Sequence, residues 1–204
     1  MPHQSQEFEE EERWVKRSTG ISGLDFQLGG GFPIGTSIVV YGNPLTGLDR
    51  FARQFWKADG NDSSYLMIDA MPEEGMIEVK DLQPENLKTL MKGERIVIDS
   101  LSSIIQEKGI DEAAHLITKG IDGLRKNGTN VMFILYRDVH TAFEEMRVMR
   151  EAEIFISLRE EAHQNEIERK LTIHKIPSMD VPSRVFPYLI RNDGIELSTT
   201  DRVV

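Results

Sequence analysis

The chain has 204 residues, 39% of them hydrophobic and 28% charged, which suits one soluble domain with a full core. Its formal net charge is −10, with 24 Lys and Arg against 34 Asp and Glu. That balance disfavours nucleic acid as a partner, because a groove that follows a phosphate backbone needs a basic stripe. There are no cysteines, so disulfides, thiolate metal sites and a cysteine nucleophile are excluded. No apolar run approaches the ~18 residues of a membrane span, and the opening residues lack the basic and apolar regions of a secretory signal. A cytoplasmic protein without a membrane partner is expected.

Residues 1–16 read as an acidic arm, solvated and flexible, around the run Glu9 to Glu12. Phe8 and Trp14 in that arm are candidates to staple it to the core or to a partner. Residues 17–204 read as a single domain. Gly29-Gly30-Gly31 predicts a tight turn before Pro33. A β-branched run, "SIVVYG" over 37–42, predicts the first main strand, and Phe51, Ala52 and Phe55 predict a helix over 49–58. Further strands are expected over 64–69, 95–100, 130–136 and 153–158. The run "NVMFILY" at 130–136 is apolar on both faces and so should be central. Residues 70–94 have room for one modest helix, with Glu73 and Glu74 expected to start a helix after Pro72.

One apolar stripe, Ile110, Ala113, Ala114, Ile117, Ile121 and Leu124, predicts a single helix closed by Asn127-Gly128. Another helix is expected over 142–152. After Leu158 the pattern changes to strands joined by turns, with Asn192-Asp193-Gly194 a hairpin signal. Alternation would put Arg169 and Lys175 on one strand face. The fold class is therefore α/β: a mostly parallel central sheet flanked by helices, with antiparallel strands at the C-terminal end.

The candidate site is the loop after the first main strand: Gly42, Asn43, Pro44, Leu45, Thr46, Gly47, Leu48 and Asp49. Two glycines five residues apart, between a strand and a helix, are the setting of a phosphate loop. Glycines let the backbone curl around an anion, and the helix N-terminus offers free N–H groups.

The stretch "STGISGLDFQLGGGFPIGTSIVVYGNPLTG" (18–47) resembles the opening of KaiC-like and RadA-like members of the RecA superfamily. Their S-T-G-[IV]-x-x-L-D-x-L-L-G-G-G block runs straight into the Walker A strand. "RIVIDSLSSII" resembles the Walker B strand, with Asp99 at the acidic position followed by Ser100. "RKLTIHKIPSMDVPSRVFPYLIRNDGIEL" looks like the KaiC-type ending. The resemblance implies a RecA-like P-loop core over nearly the whole chain. It would make Asp99 a Walker B acid, Asp69 the counterpart of a water-positioning carboxylate, and Lys175 a contact to a neighbouring subunit.

The departures are concentrated in that implied site. Leu48 stands where the family has the phosphate-binding lysine, and Asp49 where it has the Mg²⁺-binding Ser/Thr. Near 4 Å and at an effective dielectric of 20, each unit charge pair is worth roughly 4 kcal/mol before screening. A helix dipole returns only ~0.3–2 kcal/mol. Leu45 replaces a common glycine. Ala70 stands where the second carboxylate of the family's pair would be and cannot act as a base. Pro177 and Ser178 replace an Arg-Gly that reaches the neighbouring nucleotide in relatives.

The leading expectation is a RecA-fold protein that has lost ATP hydrolysis, a regulatory or scaffolding module. Its partners would be itself or an active KaiC-like paralogue, and it would need no cofactor. The alternative is a divergent binder of Mg-ATP or ADP, or a slow ATPase, with Asp49 or Asp69 together with Asp99 holding Mg²⁺. A recombinase-paralogue role on DNA is a third reading, opposed by the charge. Asp99 has a plain alternative, as a polar strand-end residue capping the next turn. The histidines at 3, 115, 140, 163 and 174 show no metal-ligand spacing.

Overall fold

The computed structural model describes residues 15–60, 62–163 and 166–198. The acidic arm lies outside them save for its last two residues, so Phe8 and Trp14 have no described place. Lys16, counted with the arm, already belongs to strand β1 (Lys16–Arg17), which pairs antiparallel with β2 (Phe32–Pro33). Between these strands lies helix α1 (Ser22–Gln27), which buries Leu24. The three glycines form the expected turn, all at positive φ. At Gly31 a Cβ would lie 2.1 Å from the carbonyl oxygen of Arg17, so a side chain has no room.

Among the described residues the main sheet has nine strands. In chain order they are β3 (Ser37–Gly42), β4 (Ser63–Met67), β5 (Ile77–Glu78), β6 (Arg95–Asp99), β7 (Asn130–Tyr136), β8 (Ile154–His163), β9 (Glu166–Lys175), β10 (Phe186–Arg191) and β11 (Gly194–Leu197). In space they run β11-β10-β9-β8-β3-β7-β6-β4-β5. From β8 to β5 every pairing is parallel, and from β8 outward to β11 every pairing is antiparallel. β7 lies inside the sheet, as its two-sided apolar run predicts, and all but its last residue are buried.

Period-two alternation sends the strand side chains into two cores. Ile38, Val40, Val97, Met132 and Ile134 meet α1 and α2 (Leu48–Lys57), through Leu24, Phe51, Phe55 and Trp56. Val39, Ile96, Ile98, Val131 and Phe133 meet the helices on the other face. Those helices are α3 (Pro84–Leu90), α4 (Leu101–Lys108), α5 (Ile110–Ile117), α6 (Asp122–Lys126) and α7 (Ala142–Glu151).

Two local expectations need correction, and one helix has no sequence expectation behind it. The stripe from Ile110 to Leu124 is not one helix. It is α5, a 3₁₀ turn (Lys119–Ile121) and α6, because Thr118 leaves helical geometry at φ −102°, ψ −88° and two glycines follow. The helix α4 ahead of it was not predicted at all. Glu73 and Glu74 start no helix, since the chain there makes a turn at Glu74-Gly75 before β5, with Gly75 at φ +86°.

Candidate functional site

The carboxyl ends of the parallel strands meet where β3 is flanked by β7 and β8, which is where open α/β sheets place their ligands. The loop leaving β3 begins under tight constraint. A Cβ on Gly42 would lie 2.8 Å from the carbonyl oxygen of Leu158 and 2.9 Å from Thr46 Oγ1. Pro44–Thr46 then form a 3₁₀ turn capped by Asn43.

The amides of this turn bond within it. Leu45 N–H donates to Asn43 Oδ1 at 2.9 Å, and Thr46 N–H donates to the Asn43 carbonyl at 3.1 Å. Thr46 Oγ1 donates to that same carbonyl at 2.7 Å. Gly47 takes φ +81°, and a Cβ there would lie 3.0 Å from Ile190 Cδ1 of β10. The Tyr188 hydroxyl, also from β10, donates to the Thr46 carbonyl at 2.8 Å. Further along α2, Arg50 Nη1 donates to the Arg191 carbonyl at 2.8 Å, and Gln54 Oε1 accepts from Ile195 N–H at 2.6 Å. The β10–β11 hairpin is thus fastened along the loop and the helix that follows it.

Leu48 is 1% exposed and belongs to the core between the sheet and α2. Asp49, one residue on, pairs with Arg53 at 3.6 Å, and Arg53 pairs with Glu73 at 3.0 Å. Leu45 points to solvent, 70% exposed.

Asp99 ends β6 and is buried. Tyr65 donates its hydroxyl to Asp99 Oδ2 at 2.6 Å, and Tyr136 to Oδ1 at 3.3 Å. Burial pushes the Asp99 carboxyl up to about 6, and the negative charges of Asp69 and Asp49 push the same way against the two tyrosine hydrogen bonds. Burial and the carboxylate together raise both Tyr65 and Tyr136. The cap of α4 is Ser100, whose Oγ accepts from Ser103 N–H at 3.3 Å, so Asp99 is not the capping residue. Asp69 accepts two hydroxyls on one oxygen, from Ser100 at 2.7 Å and Ser103 at 2.6 Å. Ala70 beside it is exposed.

Asp49, Asp69 and Asp99 therefore share one electrostatic neighbourhood. Among the described residues no group of three or more His, Asp or Glu converges as a metal cage. Lys175 stands elsewhere: its Nζ donates to the carbonyls of Arg150 at 2.7 Å and Ala152 at 2.5 Å, closing the C-terminus of α7. It does not share a face with Arg169. A bulge around His174 breaks the register, pairing Ile156 with Ile173 but Phe155 with Lys175, which turns Lys175 to the opposite side.

Sequence reasoning missed Tyr65, Tyr136, Ser103 and Tyr188, each of which bonds a candidate site residue. A tyrosine or serine in an apolar strand or helix carries no spacing signal of its own. The parity of Tyr65 and Tyr136 relative to their strand ends was the sole trace.

No curated protein matches the chain. Among solved structures, the KaiC-like protein PH0186 from the hyperthermophilic archaeon Pyrococcus horikoshii OT3 is similar to it, with a TM-score of 0.73 at 22% sequence identity, over 90% of this chain and 99% of that one. At that identity the likeness concerns the fold, and the fold is RecA-like, as the sequence implied. The family model described as "ATPase: KaiC" matches residues 74–202, a stretch that includes Asp99 and Lys175 and begins beyond the loop at 42–49. That match covers more than half of the chain, which therefore belongs to the KaiC ATPase family.

Proposed function

We propose that this protein uses the RecA-like fold without hydrolysing ATP and works as a regulatory or scaffolding module, associating with itself or with an active KaiC-like paralogue. The observation that carries the reading is Leu48. At the place of the phosphate-binding cation, its side chain is packed into the apolar core. The position has become part of the core, and a cation there would lose both water and packing.

Other features support the same reading. The amides of Leu45 and Thr46, which would have to face an anion, are taken up by Asn43. Asp49 adds a negative charge at the head of α2. ATP with Mg²⁺ does not fit these residues well: no cation meets the phosphates at position 48. Asp69 already holds two hydroxyls and Asp99 two more. The divergent-ATPase reading rests on the shared neighbourhood of the three aspartates, which is an electrostatic liability until a cation neutralises it.

The test is calorimetric titration with Mg·ATP and Mg·ADP beside a phosphate-release assay. No turnover is expected, and no protection of the loop at 42–49 from hydrogen exchange at millimolar nucleotide. Micromolar binding with turnover would overturn the reading. Light scattering of the chain alone and mixed with an active KaiC-like paralogue tests the assembly role, in which a mass above the monomer is expected.

A further inference from the structure

Helix α2 turns three cations outward, Arg50, Arg53 and Lys57, spaced three and four residues apart and so on one face. They line a cleft of about 510 Å³ whose far wall is the β10–β11 turn at Asn192, Asp193 and Gly194, with Glu73 also in the lining. Three cations here face three carboxylates, Glu73 and Asp193 in the lining and Asp49 on Arg53, so the cleft is balanced in charge within a chain of net charge −10. The cleft runs along the flank of α2, with every contributed α2 side chain past the phosphate-loop position.

The three cations are engaged to different degrees. Arg50 is pinned, with Nη1 donating to the carbonyls of Arg191 and Asn192 at 2.8 and 3.2 Å. Arg53 reaches Asp49 and Glu73 through Nη2, while its Nε is buried without any acceptor. A buried donor of that kind is costly to leave unmade, and a small turn of the guanidinium toward an acceptor in the cleft would satisfy it. Lys57 makes no ion pair among the described residues, and its Nζ lies 5.3 Å from the Trp56 ring.

We propose that this cleft binds a small molecule through a phosphate or diphosphate group, held by Arg53 and Lys57 and bounded by the turn that Arg50 fixes. The volume is that of a small-molecule site. The ligand must displace Glu73 from Arg53, and a lone carboxylate has no advantage over the one already there. A phosphate carries more charge and more acceptor oxygens, and it can meet a guanidinium fork and an ammonium at once. The site does not depend on the reading of the loop: a silent loop and a working cleft are compatible.

The test uses the full chain and inorganic pyrophosphate without Mg²⁺ at low ionic strength, followed by calorimetry and by Trp56 fluorescence. One-to-one binding is expected, weakened at least tenfold by Lys57→Gln and by Arg53→Gln. Glu73→Gln, which releases Arg53, should tighten it several-fold. Because that variant gains binding, it does not suffer from the ambiguity of a misfolded protein. Citrate should bind more weakly than pyrophosphate, and Lys126→Gln, on the far helix α6, should change nothing. No binding of pyrophosphate would overturn the inference and leave the loop reading standing. Binding that ignores the substitutions at positions 53, 57 and 73 would place the anion elsewhere and overturn it too. Turnover of Mg·ATP would overturn the loop reading and leave the cleft untouched.

Discussion

The hydroxyl of Tyr188 donates to the carbonyl oxygen of Thr46 across 2.8 Å, joining the last hairpin of the chain to the loop at the head of α2. Both residues are buried, at 2% and 1% exposure. The bond is one of several that pass between the β10–β11 hairpin and the loop-helix unit, with Ile190 against Gly47, Arg50 on Arg191 and Gln54 on Ile195. The loop at 42–49 and the head of α2 are thus one half of a structural joint with the hairpin.

Tyr188→Phe should therefore weaken the whole fold, beyond any local effect on the loop. The substitution keeps the ring and removes the donor, leaving the Thr46 carbonyl buried without that partner. The expected loss is about 1–3 kcal/mol, read as a lower urea midpoint at unchanged slope. An unchanged midpoint would mean that the loop carbonyl finds another partner and that the joint is not structural.

Asp99 gives a prediction with a sign. Its folded pKa is raised from 3.8 to about 6. Between those values the native state holds a proton that the unfolded chain has released. The contribution of Asp99 to stability is then complete below pH ~4 and is lost as pH rises toward 6. A shift of about two units corresponds to roughly 3 kcal/mol lost by neutral pH. Asp99→Asn should raise stability at pH 7.5 by about 1–3 kcal/mol and flatten the difference between pH 4 and 6. Paired denaturation curves of both proteins at pH 4, 5, 6 and 7.5 decide it, and a parallel offset at all four would contradict the assignment.

The fold was readable because its signals are local and repeated. β-Branched runs closed by turn residues marked β3, β6 and β7, and Asn192-Asp193-Gly194 marked the β10–β11 hairpin. The errors arose where tertiary context decides. The stripe from Ile110 to Leu124 keeps helical spacing across Thr118, so periodicity ran through a break that packing against the sheet tolerates. At Lys175 a single bulge inverts the face, and alternation has no means of seeing an inserted residue. For the site, the sequence showed which charges differ from those the resemblance implies, but not where the side chains went. That Leu48 is part of the core, and that Asn43 absorbs the loop amides, are consequences of the loop's own conformation.

Repairing the loop on paper should fail in practice. In the double variant Leu48→Lys with Asp49→Thr, the new ammonium would start from a site with 1% exposure among apolar neighbours. A stability loss of about 2–4 kcal/mol is expected. On the proposed reading the variant shows no ATP turnover, since Ala70 offers no base. Thermal melts with and without Mg·ATP separate the outcomes. A nucleotide-induced rise in Tm in the double variant alone would show that the pocket is otherwise intact.

Lys175 distinguishes an internal from an inter-subunit role. Its ammonium sits on the Arg150 and Ala152 carbonyls at the C-terminus of α7, where a cation also meets the negative end of the helix dipole. Lys175→Met keeps the length of the stem and removes the charge and the donors. If the contact is internal, stability falls by about 1–2 kcal/mol, and hydrogen exchange quickens over the last turn of α7, with the mass in solution unchanged. If the residue joins subunits, the mass measured by light scattering falls with concentration sooner than in the parent protein, and exchange over α7 stays the same. The two hydrogen bonds within one chain favour the first outcome, because a side chain already holding two carbonyls has one donor left for a neighbour.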